Sequence, residues 1–433
     1  MADSRPISRR KVLGVLGCAA SASAAASASA AASASPAARE SPAHAQAAAA
    51  PPDQPRPLTP DSADTGSLYP GIERLAQRGG FSASFLGDRW PSLDEYRTEG
   101  RKLLLRALGY NPPPVDPRPE VVSRVDLGGV IREKILFSTT PEFRVPAYVH
   151  VPKDRNGRLP AVVDLHSHGG MFVFGKEKVI DFGVNHPAMV EYQKENYAGR
   201  PTATELARRG YVVITIDAFP FGERRLMMDE DLKHGWDRSK YTLQDVRMLN
   251  AKCREKESAV VKSLTYAGAT WPGVVAWDDM RTVDYLVTRP EVDPARIGCC
   301  GVSMGGWRSL LLSGLDDRIA AGCVAGFMST VRPMIRRHME THSFVHFIPG
   351  LHEYLDLPDV VALRAPKPLL VLQCKQDGLF PPEGMQEAVR KIAAIYHKGG
   401  APDAFVGKFY DVPHRFDVPM QEDAFTWFDR YLK

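Results

Sequence analysis

Three residue types in a fixed order could do chemistry in this sequence: a serine between glycines, then an aspartate, then a histidine. Gly301-Val302-Ser303-Met304-Gly305 closes a short run, Arg296–Cys300, and opens a helical stretch beginning Gly306-Trp307-Arg308. A strand, a sharp turn and a helix in that order hold a serine hydroxyl up at the carboxyl edge of a sheet. The helix N-terminus beside it favours negative charge. A serine hydroxyl is a weak nucleophile until a base takes its proton, and an imidazole titrating near neutral pH suits that task. Asp377 follows the buried run Pro368–Cys374, and His414 follows the last apolar run, Lys408–Val412. In this geometry the acid and the histidine come after the serine, in that order. Ser303 is therefore the expected nucleophile, His414 its base and Asp377 the group that orients the imidazole. Asp316, Asp317, Asp356 and Asp411 compete for the acid role, but only Asp377 directly follows a long buried strand. His338 and His397 sit inside helical patterns. The glycine–serine pentapeptide alone is weak, since a chain of this length shows one by chance roughly one time in ten. The order of the three groups carries the reading.

Attack on a carbonyl also needs two N–H groups for the developing oxyanion. Met304, the residue after the serine, offers one. The loop after strand Ala161–Leu165, His166-Ser167-His168-Gly169-Gly170, offers the other, with the His168 amide first and Gly169 next. A plain Gly-Gly turn is the alternative for this loop, and His166 is expected to brace it. Gly169, Phe219, Arg224 and Trp307 are the candidates for substrate contact. Phe219 and Arg224 belong to the loop Asp217–Arg225, which follows the strand before the serine strand. Arg224 and Arg225 either hold a carboxylate-bearing substrate or form a solvated charge pair. His338, His342 and His346 are spaced four apart, with Glu340 between the first two. On a helix they share a face and could bind zinc. No carboxylate stands where the H-E-x-x-H pattern needs one, so no metal is expected and the stretch instead could line the cleft. No cofactor is implied.

The elements around these residues alternate. An antiparallel start, Val121–Leu127, Val130–Ser138 and Val145–Val151, turns at Gly128-Gly129. Apolar runs follow at Ala161–Leu165, Tyr211–Ile216, Ile297–Gly301, Ala320–Ala325, Leu369–Gln373 and Phe409–Val412. Helical spacing lies between them at Thr202–Arg209, Trp277–Val287, Met385–Tyr396 and Gln421–Tyr431. Strands buried on both faces and alternating with helices imply a mostly parallel sheet with helices on both sides. Two segments exceed a minimal core, near 172–202 and 223–272. Insertions of that length usually serve as lids or substrate walls. Residues 67–120 read as an N-terminal helical extension with a helix over Ser92–Leu108, and 121–433 as the catalytic domain.

Ahead of these, residues 46–66 are rich in Pro, Ala, Asp and Ser and read as a disordered linker. Ser8-Arg9-Arg10-Lys11-Val12-Leu13 resembles the twin-arginine export motif, and an Ala/Ser stretch follows it to the small-x-small site Ala43-His44-Ala45. Residues 1–45 are thus expected to be a signal peptide read by the twin-arginine export machinery, which puts the mature protein in the periplasm or outside the cell. Alanine and serine give too little transfer energy for a stable membrane anchor. Cys18 has a faint lipobox look. Five cysteines remain beyond residue 45, an odd number placed mostly in strands, which reads as buried thiols rather than a disulfide framework. The net charge of +4 on 433 residues, without a basic run interleaved with aromatics, argues against nucleic acid.

With His166–Gly170, Asp217–Arg225, Gly301–Gly306, Asp377 and His414 in view, the chain resembles the α/β-hydrolase superfamily. Within it, the chain is similar to the dienelactone-hydrolase-like and acetyl xylan esterase-like groups. The resemblance covers about residues 120–433 and implies the α/β-hydrolase fold, an eight-stranded, mostly parallel sheet with helices on both faces and lid-like insertions. It implies a serine carboxylic-ester hydrolase acting through an acyl-enzyme on a small-molecule or carbohydrate ester, with a short acyl group such as acetate. Dienelactone hydrolases proper use cysteine where this chain has Ser303. A prolyl-oligopeptidase-like peptidase shares the triad but needs a propeller-sized N-terminal region. A non-catalytic binding protein on the same scaffold would be expected to have lost part of the triad.

Overall fold

A computed structural model describes residues 63–433, apart from residues 155, 229–230 and 232–236. The expected signal peptide and nearly all of the linker lie outside the described residues, as does Cys18. Before the sheet come two helices, α1 (Tyr69–Arg78) and α2 (Leu93–Leu108). Ser92 caps α2 by accepting from the Glu95 amide, and Gly109 ends it in the left-handed conformation at φ 59°.

Nine strands form one sheet: β1 (Glu120–Asp126), β2 (Val130–Ser138), β3 (Arg144–Pro152), β4 (Leu159–Leu165), β5 (Val212–Ile216), β6 (Val292–Val302), β7 (Ile319–Ala325), β8 (Leu369–Cys374) and β9 (Phe405–Tyr410). Their order is β1-β2-β3-β5-β4-β6-β7-β8-β9. The first three strands pair antiparallel and β3 meets β5 antiparallel; every pair from β5 to β9 is parallel. The resemblance implies eight strands, while the nine runs read along the sequence match the nine observed, Val121–Leu127 being β1. All seven residues of β1 are exposed, so it adds an edge to the hairpin without adding to the core. The central strands behave oppositely. Every residue of β5 and β8 is buried, which explains why they read as continuous apolar runs.

Among the described residues nine further α-helices follow the antiparallel start: α3 (Pro187–Tyr197), α4 (Thr202–Arg208), α5 (Leu243–Tyr266), α6 (Trp271–Thr288), α7 (Met304–Leu315), α8 (Val331–Arg336), α9 (Leu351–Tyr354), α10 (Pro382–Lys398) and α11 (Val418–Leu432). Apolar side chains pack on both faces of the sheet. Trp307, Leu310 and Leu311 of α7 pack with Val324 and Val371 on one side; Phe425 and Phe428 of α11 pack with Cys300 and Cys323 on the other. The five cysteines beyond residue 45 are all buried free thiols. Among the described residues, no helix is long and apolar enough to cross a membrane.

The two insertions differ in kind. In residues 172–202 the first stretch, 172–180, is buried throughout, and the rest, with α3, is partly exposed. Lys176 is fully buried, and its ammonium meets Asp217 at 2.7 Å, Glu223 at 2.6 Å and Glu177 at 3.1 Å. Residues 223–272 are dominated by α5. A Thr242–Asp245 capping box starts this helix.

Candidate active site

The turn between β6 and α7 is built by close approach. Ser303 sits at φ 59°, ψ −124°, a region disfavoured for any residue with a Cβ and found where function requires it. Its N–H donates to the Ala325 carbonyl at the end of β7, at 2.9 Å. A Cβ at Gly301 would stand 2.2 Å from the Leu165 carbonyl oxygen, and one at Gly305 only 1.8 Å from it. The pentapeptide therefore needs glycine at both positions because the turn is wedged against the end of β4.

Asp377 and His414 come from the loops after β8 and β9. Two backbone bonds stitch these loops together, Lys375 N–H to Tyr410 O at 2.8 Å and Gln376 N–H to Val412 O at 3.1 Å. His414 Nδ1 meets Asp377 Oδ2 at 2.6 Å, while Asp377 Oδ1 accepts from the Leu379 amide at 2.9 Å. The Asp377 carboxylate is fully buried and the His414 imidazole is 18% exposed. The acid is thus fixed from both oxygens and the base keeps one side open. The His414 ring also lies against the chain after β7: a Cβ on Gly326 would be 3.6 Å from its Cε1.

Ser303 and His414 line one cavity of about 200 Å³ together with residues of the loop after β4 (His168, Gly169 and Gly170), Asn196, Arg254, the stretch Thr341–His346 and Leu379. Among the described residues, no hydrogen bond joins the Ser303 hydroxyl to His414.

The loop after β4 is held from beneath. Lys178 Nζ donates to the carbonyls of Ser167 at 2.7 Å and His168 at 3.0 Å. In a trans peptide the N–H lies opposite the carbonyl, so the amides of His168 and Gly169 are turned away from Lys178. His166 braces the loop: its Nδ1 bonds Ser167 O at 2.9 Å and its Nε2 accepts from Ala218 N–H at 3.1 Å. His168 Nδ1 accepts from the Gly170 amide, so its Nε2 carries the proton shared with Glu257 Oε1 at 3.2 Å. Met304 opens α7, and its N–H has no carbonyl one turn back to bond. Burial holds the His168, His342 and His346 imidazoles below their ordinary titration range, so the cavity wall is lined by neutral rings.

This arrangement sits in a chain whose residues 80–423 match the Abhydrolase family. The chain belongs to that family. This Abhydrolase member is a hydrolase with the α/β-hydrolase fold. It is 29% identical over 315 residues to YtaP of Bacillus subtilis, described as a hydrolase, with 71% of this chain and 91% of that protein covered. It is 24% identical over 306 residues to the carbohydrate esterase MZ0003 of an unknown prokaryotic organism, covering 63% and 65%. Its fold is similar to that of a Bacteroides fragilis protein described as an acetyl xylan esterase, with a TM-score of 0.60, 19% identity, and coverage of 80% of this chain and 84% of the other.

The residues expected to touch substrate divide. Gly169 lines the cavity of this Abhydrolase site; Phe219, Arg224 and Trp307 do not. Phe219 packs on Phe143, ring centroids 6.0 Å apart, and its carbonyl accepts from Trp271 Nε1. Arg224 is neutralised by Asp278 at 2.7 Å. Trp307 is fully buried under the site, its ring against His346. Arg224 borders a larger cavity of about 620 Å³ beside β2 and β3, with Tyr148, Phe174 and Arg238. That cavity holds none of Ser303, Asp377 and His414, and we assign it no chemistry. The histidine stretch is not the helix its spacing predicts. The chain leaves α8 at Arg336 and His338 takes φ 83°. His342 and His346 reach the cavity; His338 does not. Among the described residues no group of three or more His, Cys, Asp or Glu is disposed to hold a metal. Arg254, Asn196, Ser343 and Leu379 are cavity residues that sequence reasoning missed. For Arg254 a signal was present: Asn250, Arg254 and Glu257 recur at helical spacing, one face of α5.

Proposed function

We propose that this chain is an exported serine carboxylic-ester hydrolase that removes short acyl groups, such as acetyl, from a carbohydrate or similar ester. One observation carries the reading: His414 is tied to buried Asp377 at 2.6 Å while it shares a small cavity with Ser303, itself held in a strained turn. In this mechanism Ser303 Oγ attacks the ester carbonyl and His414 takes its proton. The Met304 and His168 amides hold the oxyanion. His414 then gives the proton to the departing alkoxide, leaving an acyl-enzyme. Water, deprotonated by His414, cleaves that ester and regenerates Ser303. Asp377 keeps the imidazole oriented and stabilises its charged form. Bonds such as Ser303–His414 often tighten only when substrate is bound. The cavity of about 200 Å³ lies below the span typical of sites that swallow a drug-sized ligand, about 300–1,000 Å³. It suits a short acyl group with the rest of the ester outside. The name of the relative MZ0003 supports a carbohydrate ester.

Purified protein should hydrolyse p-nitrophenyl acetate faster than the butyrate and octanoate esters, and Ser303→Ala should not hydrolyse them. Equal rates in the two proteins would refute the serine mechanism. Export rests on Ser8-Arg9-Arg10-Lys11 and the Ala/Ser stretch. Its test is processing of the N-terminus in cells with and without the twin-arginine machinery.

A further inference from the structure

Arg254 stands apart from the other arginines of its segment. Arg224 pairs with Asp278 at 2.7 Å, Arg225 with Asp231 at 3.6 Å, Arg238 with Glu177 at 2.7 Å and Arg247 with Glu191 at 3.9 Å. Among the described residues Arg254 has no carboxylate partner. It is exposed, and the helix that carries it is fixed on both sides of it. One turn before it, Asn250 Oδ1 accepts from the amides of Phe172 at 2.8 Å and Val173 at 3.0 Å. One turn after it, buried Glu257 bonds His168 Nε2 at 3.2 Å and Ser343 Oγ at 3.2 Å. Asn250 thus ties this face of α5 to the chain just after the His166–Gly170 loop, and Glu257 ties it to two residues that line the cavity, His168 and Ser343. Arg254, on that same face, is delivered to the cavity wall beside His168 and Ser303.

The charge it brings is uncompensated there. The cavity wall carries no Asp or Glu. The two carboxylates bonded to its lining residues are already engaged, Glu257 by His168 and Ser343 and Asp377 by His414 and the Leu379 amide. The His168, His342 and His346 imidazoles are held below their ordinary range by burial, so these three add no competing cation near neutral pH. A guanidinium presents a rigid fork of donors matched to a carboxylate, and no carboxylate among the described residues fills it.

We propose that Arg254 is a specificity-determining residue that selects esters bearing a free carboxylate near the scissile bond. This rests on the reading of Ser303 as nucleophile and adds the substrate class to it. The carboxylate sits either on the acyl group, as in a half-ester of a dicarboxylic acid, or on the alcohol, as in an acylated uronic acid. For Arg224 and Arg225 the sequence leaves open a carboxylate-bearing substrate or a solvated charge pair. Their partners, Asp278 and Asp231, remove them as holders of a substrate carboxylate, and Arg254 takes that place.

The experiment compares matched pairs. On the acyl side, mono-p-nitrophenyl succinate is set against p-nitrophenyl butyrate. On the alcohol side, acetylated glucuronic acid is set against acetylated glucose. Each is measured with wild type, Arg254→Gln and Arg254→Lys at low and at about 0.15 M salt, where the Debye length falls to about 8 Å. The wild type should favour the charged member of one pair by about five- to tenfold in kcat/KM, mostly through KM, more than a fully exposed ion pair gives and less than a charge-assisted hydrogen bond in a buried site. Arg254→Gln should lose that preference, Arg254→Lys should keep part of it, and salt should weaken it. The proposal is overturned if wild type shows no preference in either pair, or if Arg254→Gln keeps it. Binding of both sugar esters to Ser303→Ala by calorimetry separates the two claims. A preference for the uronate, or for free succinate over butyrate, that vanishes in the Ser303→Ala, Arg254→Gln double variant supports Arg254 even if hydrolysis is absent. Esterase activity without any such preference retains Ser303 and rejects Arg254.

Discussion

Replacing Gly305 with alanine tests how the strained turn is held. The added Cβ would stand 1.8 Å from the Leu165 carbonyl oxygen and 2.9 Å from its carbon, where ordinary contact begins at 3.4 Å. The end of β4 must therefore retreat by roughly 1.6 Å, or the turn must shift by as much. Overpacking of this kind costs about 1–3 kcal/mol, and the contact is with backbone, which gives little, so the upper half of that range is expected. Leu165 leads directly into His166–Gly170, so the same displacement moves the His168 amide away from the reacting carbonyl. A misplacement of about 1 Å costs about 100-fold in rate. The assay is a urea midpoint for stability and kcat/KM on p-nitrophenyl acetate for function. Gly378→Ala is the control: it neighbours Asp377 in the chain, but its Cβ would meet nothing within 4 Å, and its stability should stay within about 0.5 kcal/mol of wild type. A Gly305→Ala protein with wild-type midpoint and activity would refute the argument that the turn is wedged against β4.

Other consequences follow from the same contacts. Asp377→Asn should leave the fold intact and lower kcat on p-nitrophenyl acetate by about 10⁴-fold, because the amide favours the wrong imidazole tautomer; a loss under tenfold would remove Asp377 from the mechanism. Glu257→Ala strands His168 Nε2 and Ser343 Oγ and should cost about 1–3 kcal/mol in urea unfolding, with less lost in Glu257→Gln; equal stability of all three proteins would show that these bonds contribute nothing. His150 on β3 is buried with neither ring nitrogen bonded, and burial holds it down to about 3. Its unfolded value is near 6.5, so the unfolded chain binds the extra proton and stability is lost as pH falls from about 6.5 toward 3. At pH 5 that loss is about 2 kcal/mol at about 1.4 kcal/mol per pH unit. Asp164, pushed up to about 7 by burial, works with the opposite sign between about pH 4 and 7. The test is therefore the difference in urea midpoints between wild type and His150→Leu at pH 7.5 and pH 5. Equal pH slopes in the two proteins would contradict it.

Much of the fold was legible because its signals are local. Buried strands such as β4 and β8 are short apolar runs bounded by turn residues, and the turn at Ser303 announces itself through Gly301 and Gly305. The order serine, aspartate, histidine also survives translation from sequence to space, since β8 and β9 lie side by side and their loops meet. Contact across the chain was not legible. Arg224 looks like a free charge until Asp278, 54 residues on, is folded against it. Trp307, four residues past Ser303, looks like a site aromatic, but at that position α7 turns it into the core. The spacing of His338, His342 and His346 mimics a helix that His338 breaks, although two of the three still reach the cavity. Arg254 lies in a 24-residue charged helix whose composition reads as solvated. Only its anchors, Asn250 and Glu257, reveal which face looks inward, and their partners are near residues 170 and 343.

The most direct test of the central claim is covalent labelling. A fluorophosphonate probe should inactivate the enzyme in step with p-nitrophenyl acetate hydrolysis, and peptide mass spectrometry should find the adduct on Ser303. His414→Ala should slow the labelling and Ser303→Ala should abolish it. An adduct on another residue, or ester hydrolysis that persists in Ser303→Ala, would contradict the account.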